Sequence, residues 1–437
     1  MCVRSSRGKC VDSDNTLKFS ERESLPCRGW CSWHFFDFCG GSLLIANFMV
    51  VWAVPIAIQG LIWKHTIVSK VARYLHDVLV VSSRTWAERY LYTNARSADY
   101  CATSLLLVAN FIISISAMIY CQLSGPGHMP PLVVVLYLLL WVGPGGRAMG
   151  GVYALAHREG HLTNLYKQEV RFNYFENAIG CFYGIVPMSF RTSHVSIHHG
   201  LSAGEGDTFY LWDLDRSSLR DFPIYVARIF RHMVCWSPLR YYWENGHNKL
   251  FSKLSGGVLA YACVITAVLG LSQSPIFVFL VMIQPLFCMT VFLAVLNVGF
   301  HGFYEVDAAR KAIKSVVSST IIEGDDDYWG EDDHMAHHAY PVAHHDDIPR
   351  LHAARVGEFR RTKASVFRGL SSLELGLFIL LGLWDTLADH YVDYSGKLDK
   401  QEIARLLQTR AQRREISPHQ YASTSRSGPD TRNRELK

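Results

Sequence analysis

The chain carries five apolar windows of near-bilayer length, at residues 43–63, 101–121, 131–151, 254–271 and 276–296. About twenty apolar residues suffice for an α-helix to cross the hydrocarbon core. Within lipid every backbone N–H and C=O must find a partner inside the protein, so such windows fold as helices. With 49% hydrophobic and 19% charged residues, the expected fold is all-α, a multi-pass transmembrane bundle with four spans.

The connections set the topology. Residues 101–121 and 131–151 read as one helical hairpin around SGPGHMPP, and residues 254–271 and 276–296 as a second around SQSP, since Gly and Pro end helices. The short turns 122–130 and 272–275 hold no Lys or Arg, whereas 66–100 and 158–253 hold many. The positive-inside rule makes those long loops cytoplasmic. The loop between the hairpins and the segment after the second then form one cytoplasmic helical cap.

Residues 43–63 fit this scheme badly, because a span there puts Arg4, Arg7, Lys9, Arg22 and Arg28 outside. With Pro55 and Gly60 in it, the segment reads as re-entrant or interfacial. Residues 176–190 are apolar but too short to span, and are expected in the interface. Residues 370–391 contain Glu374, Asp385 and Asp389, so they should lie flat or pack on the bundle. The domain reading is a polar segment 1–40 with no secretory signal, a membrane domain 41–391, and a basic tail 392–437 that is disordered from about Gln408. The eleven cysteines are scattered and form no CxxC pair.

Of the twenty histidines, the informative ones fall in four places: His157-Arg-Glu-Gly-His161, His194-Val-Ser-Ile-His198-His199, His301 and His334-Met-Ala-His337-His338. All are expected in the cap. Residues four apart share a helical face, so His157 and His161 can grip one centre. Adjacent histidines in the second and fourth places point apart and can serve two ions, which suggests a histidine-ligated di-metal site. Asn297, four residues before His301, puts an amide on the same face, able to bind metal through water. Imidazole suits iron, zinc, copper or nickel, so ligand type alone leaves the metal open.

As a set, HxxxH, HxxxHH, NxxxH and HxxHH, two between the hairpins and two after the second, resemble the membrane fatty-acid desaturase and hydroxylase superfamily. The likeness covers roughly residues 101–340. It implies two iron ions held by His157, His161, His194, His198, His199, His301, His334, His337 and His338, with Asn297 acting through water. It also implies O2 as co-substrate, a lipid or acyl chain as substrate, and a separate cytochrome b-type protein or ferredoxin as electron donor. Eukaryotic members sit in the endoplasmic reticulum membrane, and desaturation of a long acyl chain is the expected reaction. HMAHHA also resembles the last box of alkane hydroxylases, which makes lipid or alkane hydroxylation the alternative.

Carboxylates near the boxes in sequence, Glu159, Asp207, Glu305, Asp332 and Asp333, are candidates to orient the imidazoles by accepting their other N–H. The acidic run 323–333 reads as a solvated loop, with a docking surface as the rival reading. His344 and His345 follow the last box and are read as lying outside the ligand set. A zinc-dependent membrane hydrolase is the rival enzyme class, although HREGH places Arg158 where HExxH requires Glu. No HPGG, CxxC or GxGxxG site marks an electron carrier within the chain, and no nucleic-acid partner is expected.

Overall fold

The computed structural model describes residues 30–64, 66–125, 129–201, 203, 206–307, 312–313, 315–323 and 329–413. Residues Met1–Phe36 form one unit and Asp37–Lys437 another. Of the first, only the start of a helix from Trp30 is described, so most of the expected polar segment 1–40 lies outside the described residues, as does 414–437 of the tail. The protein is mostly helical.

The first part of the chain runs through α1 (Trp30–Val51), α2 (Ala53–Lys64), α3 (Thr66–Tyr90), α4 (Tyr100–Ser124), α5 (Pro131–Val142) and α6 (Arg147–His161). A short α7 (Tyr174–Asn177) and a π-helical stretch Phe190–His199 lead to α8 (Asp221–Met233), α9 (Trp236–Asn245), α10 (Asn248–Ser272), α11 (Pro275–Val278) and α12 (Gln284–His301). Then come α13 (Ser315–Ser318), α14 (His334–Ala339), α15 (Ile348–Thr362), α16 (Ser372–Leu380), α17 (Trp384–His390) and α18 (Lys400–Ala411). Among the described residues strands are minimal: an antiparallel pair Val306–Asp307 with Ala312–Ile313, and a parallel pair Ile321–Glu323 with Val366–Arg368.

Among the described residues, four helices are long and apolar enough to cross a membrane: His34–Val51, Ala95–Ser124, Asn248–Ser272 and Pro275–His301. The two hairpin turns meet, since Gln122 Nε2 donates to Ser272 O at 2.6 Å. Residues 43–63 are not one regular helix: a single turn residue, Trp52, separates α1 from α2, where Pro55 brings no N–H to the Val51 carbonyl. Trp52 is fully buried, its indole N–H donating to Gln284 Oε1 at 3.2 Å. The span-length helix therefore lies earlier than the apolar window suggests.

The window 131–151 is also broken, with α5 and the following Pro144–His161 pair bent by 40°. Gly143, Gly145 and Gly146 adopt positive φ of 69°, 64° and 76°, a region open to glycine without strain. Pro144 brings no N–H, so the Leu140 carbonyl loses its helical donor. Asn110 supplies one through its Nδ2 at 2.8 Å, and Gln59 Nε2 donates to Leu139 O at 2.6 Å. These amides do what water would do outside an apolar environment. A Cβ on Gly145 would lie 2.7 Å from the Trp63 ring, and the Arg147 guanidinium stacks over that same ring at 4.2 Å.

Residues 176–190 are packed inside the protein rather than laid on its surface. Cys181, Tyr183, Ile185 and Val186 are buried, and Tyr183 stacks on Trp141 at 4.9 Å. Residues 370–391 form α16 and α17, and α16 packs on α12 through paired glycines. A Cβ on Gly299 would meet Ser372 O at 2.2 Å, and one on Gly376 would meet Val295 O at 2.2 Å. Beyond residue 391, where the membrane domain was expected to end, α18 returns to the core. Its Arg410 is 2% exposed and pairs with Glu305 at 2.7 Å.

Candidate metal centre

The nitrogens that the sequence singles out converge. Ligand atoms of His157, His161, His194, His199 and His337 lie within 4.8 Å of one another, as do those of His198, His301, His334 and His338. The two groups adjoin, with the His199 and His338 rings stacked 4.2 Å apart. Each described imidazole of the set thus belongs to a group that can hold a metal ion.

Helix winding explains the sorting. On α6, His157 and His161 are four apart and share a face; on α14, His334 and His338 do the same while His337 turns to the other group. The second box is wound differently. In the π-helical stretch Phe190–His199, residues five apart stack, because its hydrogen bonds run from i to i+5. His194 therefore joins His199 instead of His198, and His198 faces the four-membered group. Gly160 permits the close approach, since a Cβ there would stand 2.7 Å from the Phe190 Cβ.

Within the larger group the Nε2 atoms form a chain of close contacts. His161 to His157 is 3.1 Å, His157 to His194 2.7 Å, His194 to His199 3.0 Å and His199 to His337 3.0 Å. Each Nε2 has one in-plane position, holding either a proton or a lone pair. A nitrogen can thus take part in one such bond, and the remaining contacts press lone pairs together. A cation resolves that conflict. At a metal–nitrogen distance of about 2.1 Å, neighbouring ligands at right angles stand about 3.0 Å apart. In the smaller group, His301 to His334 is 2.9 Å and His334 to His338 3.2 Å.

Burial first, and neighbouring imidazoles second, hold His194, His199, His334, His337 and His338 well below the usual imidazole range. They are neutral at pH 7, the form that binds metal. Aromatic rings wall the groups: Phe190 beside His157, Phe209 beside His198, and Phe300 stacked on His334 at 4.1 Å.

The far nitrogens are fixed as a metal-binding set requires. His198 Nδ1 bonds Asp207 Oδ2 at 2.8 Å, and the Asp207 carboxylate also accepts from the Ala203 and Phe209 amides, each at 2.9 Å. Burial acts to raise the Asp207 pKa, but His198, the Phe209 amide and His232 together outweigh it and the group stays below the ordinary carboxyl value. His301 Nδ1 donates to Ser318 O at 2.8 Å. His157 Nδ1 lies 3.2 Å from Glu331 Oε2 and His337 Nδ1 3.6 Å from the same atom, while Arg158 Nε holds Glu331 Oε1 at 3.1 Å.

Glu331 was not anticipated. It sits in the acidic run 323–333, read from sequence as solvated, yet it is 8% exposed. Burial acts to raise its pKa, but His157 and Arg158 together lower it further than burial raises it. Glu323 of the same run is also engaged, with Arg368 and Tyr394. The one clue in sequence is Arg158, an arginine on a buried helical turn that needs an anion.

The other candidate carboxylates are placed differently. Glu159 accepts from the Tyr166 hydroxyl at 2.7 Å and from the Phe175 and Glu176 amides at 3.0 and 2.8 Å, which fastens α7 to α6. Glu305 pairs with Arg410, and Asp332 accepts from the Ser372 hydroxyl. Asp333 caps α14 through Ala336 N at 2.8 Å and bonds His352 Nδ1 at 2.9 Å. The Asn297 amide nitrogen donates to the Tyr225 hydroxyl and, at 3.4 Å, to Phe209 O. His344 and His345 fall in neither group.

The two adjoining groups could each hold a metal ion. Among family models, curated proteins and solved structures, none matches the chain.

Proposed function

We propose that the protein is a membrane-bound, di-iron, O2-dependent lipid desaturase that introduces a double bond into a long acyl chain. The observation that carries this reading is the sorting of the imidazoles into adjoining groups of five and four, with His161 and His301 ending long apolar helical segments. A five-imidazole group exceeds the four ligands usual for zinc, which weighs against the hydrolase reading. The resemblance of the histidine boxes to the membrane desaturase and hydroxylase superfamily supplies the reaction class.

A pair of iron ions in these groups would supply the oxidising power that removes hydrogens from an unactivated chain. The protein's own residues do the rest. Neutral imidazoles offer Nε2 lone pairs, Glu331 and Asp207 hold the Nδ1 side of His157 and His198, and Arg158 holds Glu331. Phe190, Phe209 and Phe300 keep water from the ring faces. A separate cytochrome b-type protein or ferredoxin would deliver electrons, and the endoplasmic reticulum membrane is the proposed location, with the histidines cytoplasmic.

The test is expression of the wild type and His337→Ala in a host of defined lipid composition, followed by mass spectrometry of the lipids. A product lighter by a pair of hydrogens, found with the wild type alone, is expected. A product heavier by one oxygen moves the assignment to hydroxylase. Identical profiles with reductant and substrate supplied overturn the enzyme reading.

A further inference from the structure

On the outer side of the loop that Arg158 grips lies a third cluster, at the start of α4. Asp99, the residue preceding α4, meets the turn after α14, so that donor atoms of Asp99, His344, His345 and Asp346 all fall within 4.8 Å of one another. His344 Nδ1 is 3.2 Å from Asp346 Oδ2; His345 Nε2 is 3.6 Å from Asp346 Oδ1 and 3.9 Å from Asp99 Oδ2. The two rings lie 4.0 Å apart. Donors at about 2.1 Å from a tetrahedral ion stand about 3.4 Å from each other, so the spacing needs only small side-chain adjustment.

The bland alternative is an ion-pair cluster, since Arg84 lies 3.5 Å from Asp99, and Arg96 lies 3.5 Å from Asp346 and 3.0 Å from Asp347. Two features go beyond it. His344 Nε2 bonds the Arg96 carbonyl at 3.2 Å, which puts the proton there and leaves Nδ1 with a lone pair, which accepts a long 3.4 Å bond from Asp346 N and lies 3.2 Å from the Asp346 carboxylate. That is the arrangement in which a ligating histidine is usually held. His345 turns its Nε2 towards the carboxylates of both Asp99 and Asp346. Arg96 can keep its shorter contact to Asp347 while Asp346 turns to an ion.

We infer that Asp99, His344, His345 and Asp346 form a separate binding site for a divalent transition-metal cation of the zinc class. Four mixed nitrogen and oxygen donors from two distant parts of the chain match a closed tetrahedral site with a structural role. Bound there, the cation ties the N-terminus of α4 to the segment that follows the last histidine box. The same segment is held from the other side, because Arg158 donates to Ala343 O at 3.2 Å and also to Trp329 O. Tyr100, next to Asp99, packs edge-on against Trp329 at 5.0 Å. The outer site thus braces the loop that presents Glu331 to His157. The assignment does not depend on the lipid reading.

The experiment uses the full chain in detergent, equilibrated with zinc, desalted and assayed for retained metal by mass spectrometry. Four proteins are compared: wild type, His344→Ala/His345→Ala, the inner-group variant His157→Ala/His337→Ala, and the combination of both pairs. Removing the outer histidines is expected to lower retained zinc by about one ion per chain in either background. Asp99→Asn, a gentler change, should release the same ion should the double variant fold poorly. Asp347→Asn, outside the donor set, should keep it. Equal zinc in outer variants and wild type, or equal loss on Asp347→Asn, overturns the site and leaves an ion-pair cluster. Lipid products from the expression test bear only on the inner groups, so the two readings fail separately.

Discussion

Replacing Glu331 by Gln tests whether the inner groups bind metal and how the protein holds them. The carboxylate touches His157 at 3.2 Å and Arg158 at 3.1 Å, with side chains 11%, 11% and 2% exposed. Gln keeps the size and one acceptor but removes the charge. Partners of ligating histidines are worth about 10–100-fold in metal affinity, which is about 1.4–2.7 kcal/mol. Separately, Arg158 loses its counter-charge in a buried place, and an imperfectly satisfied buried polar group costs about 1–3 kcal/mol of stability. Competition with a chelator measures the first effect, and the thermal midpoint in detergent the second. The ion of the five-imidazole group should weaken by about 10–100-fold, and the other by less. Asp207→Asn, acting on His198, should show the reverse pattern. Unchanged affinity in both variants together with a lowered midpoint would mean that Glu331 serves Arg158 alone, and would refute the orienting role.

Three further outcomes follow from the geometry. Burial, with His198 adding and Asp207 opposing, lowers the His232 pKa to about 3; the unfolded chain takes up this proton near 6.5 and the folded one does not, so stability is lost as pH falls below about 6.5, by up to about 1.4 kcal/mol per unit. His232→Asn should flatten the midpoint-versus-pH curve by roughly one proton in that window, and parallel curves would count against it. Asn110→Leu strips the Leu140 carbonyl of its donor at the α5 break and should cost about 1–3 kcal/mol, read as a lower midpoint with metal content unchanged. Gly160→Ala forces α6 from the π-helical stretch, at a cost of about 1–3 kcal/mol of overpacking, and metal content should fall with stability.

The histidines were legible because their chemistry is carried by residue type and by spacing along helices. The hairpins were legible because lipid demands apolar length, and their turns are written in Gly and Pro. Other features leave no local trace. A π-helical turn has no hydrophobic period of its own, so the pairing of His194 with His199 could not be read from HVSIHH. Glu331 looked like one more charge in an acidic run, and only the folded chain brings it to His157 and buries it. Residues 43–63 read as one window because hydropathy does not register a break at a buried Trp52 whose N–H seeks Gln284. The turn of chain at α18 was hidden by basic residues, of which Arg410 is a buried partner of Glu305 rather than part of a solvated tail.

Adjacent residues fall in different groups in two places, at His198-His199 and at His337-His338. A single peptide unit in each pair is therefore common property of both groups. Once a first ion has ordered these backbones, a second finds two of its donors already in position, with part of its ordering entropy lost beforehand. Uptake should accordingly be cooperative, so that molecules with one ion are scarce at every stage of a titration. Damage to either half should loosen both, its own ion first.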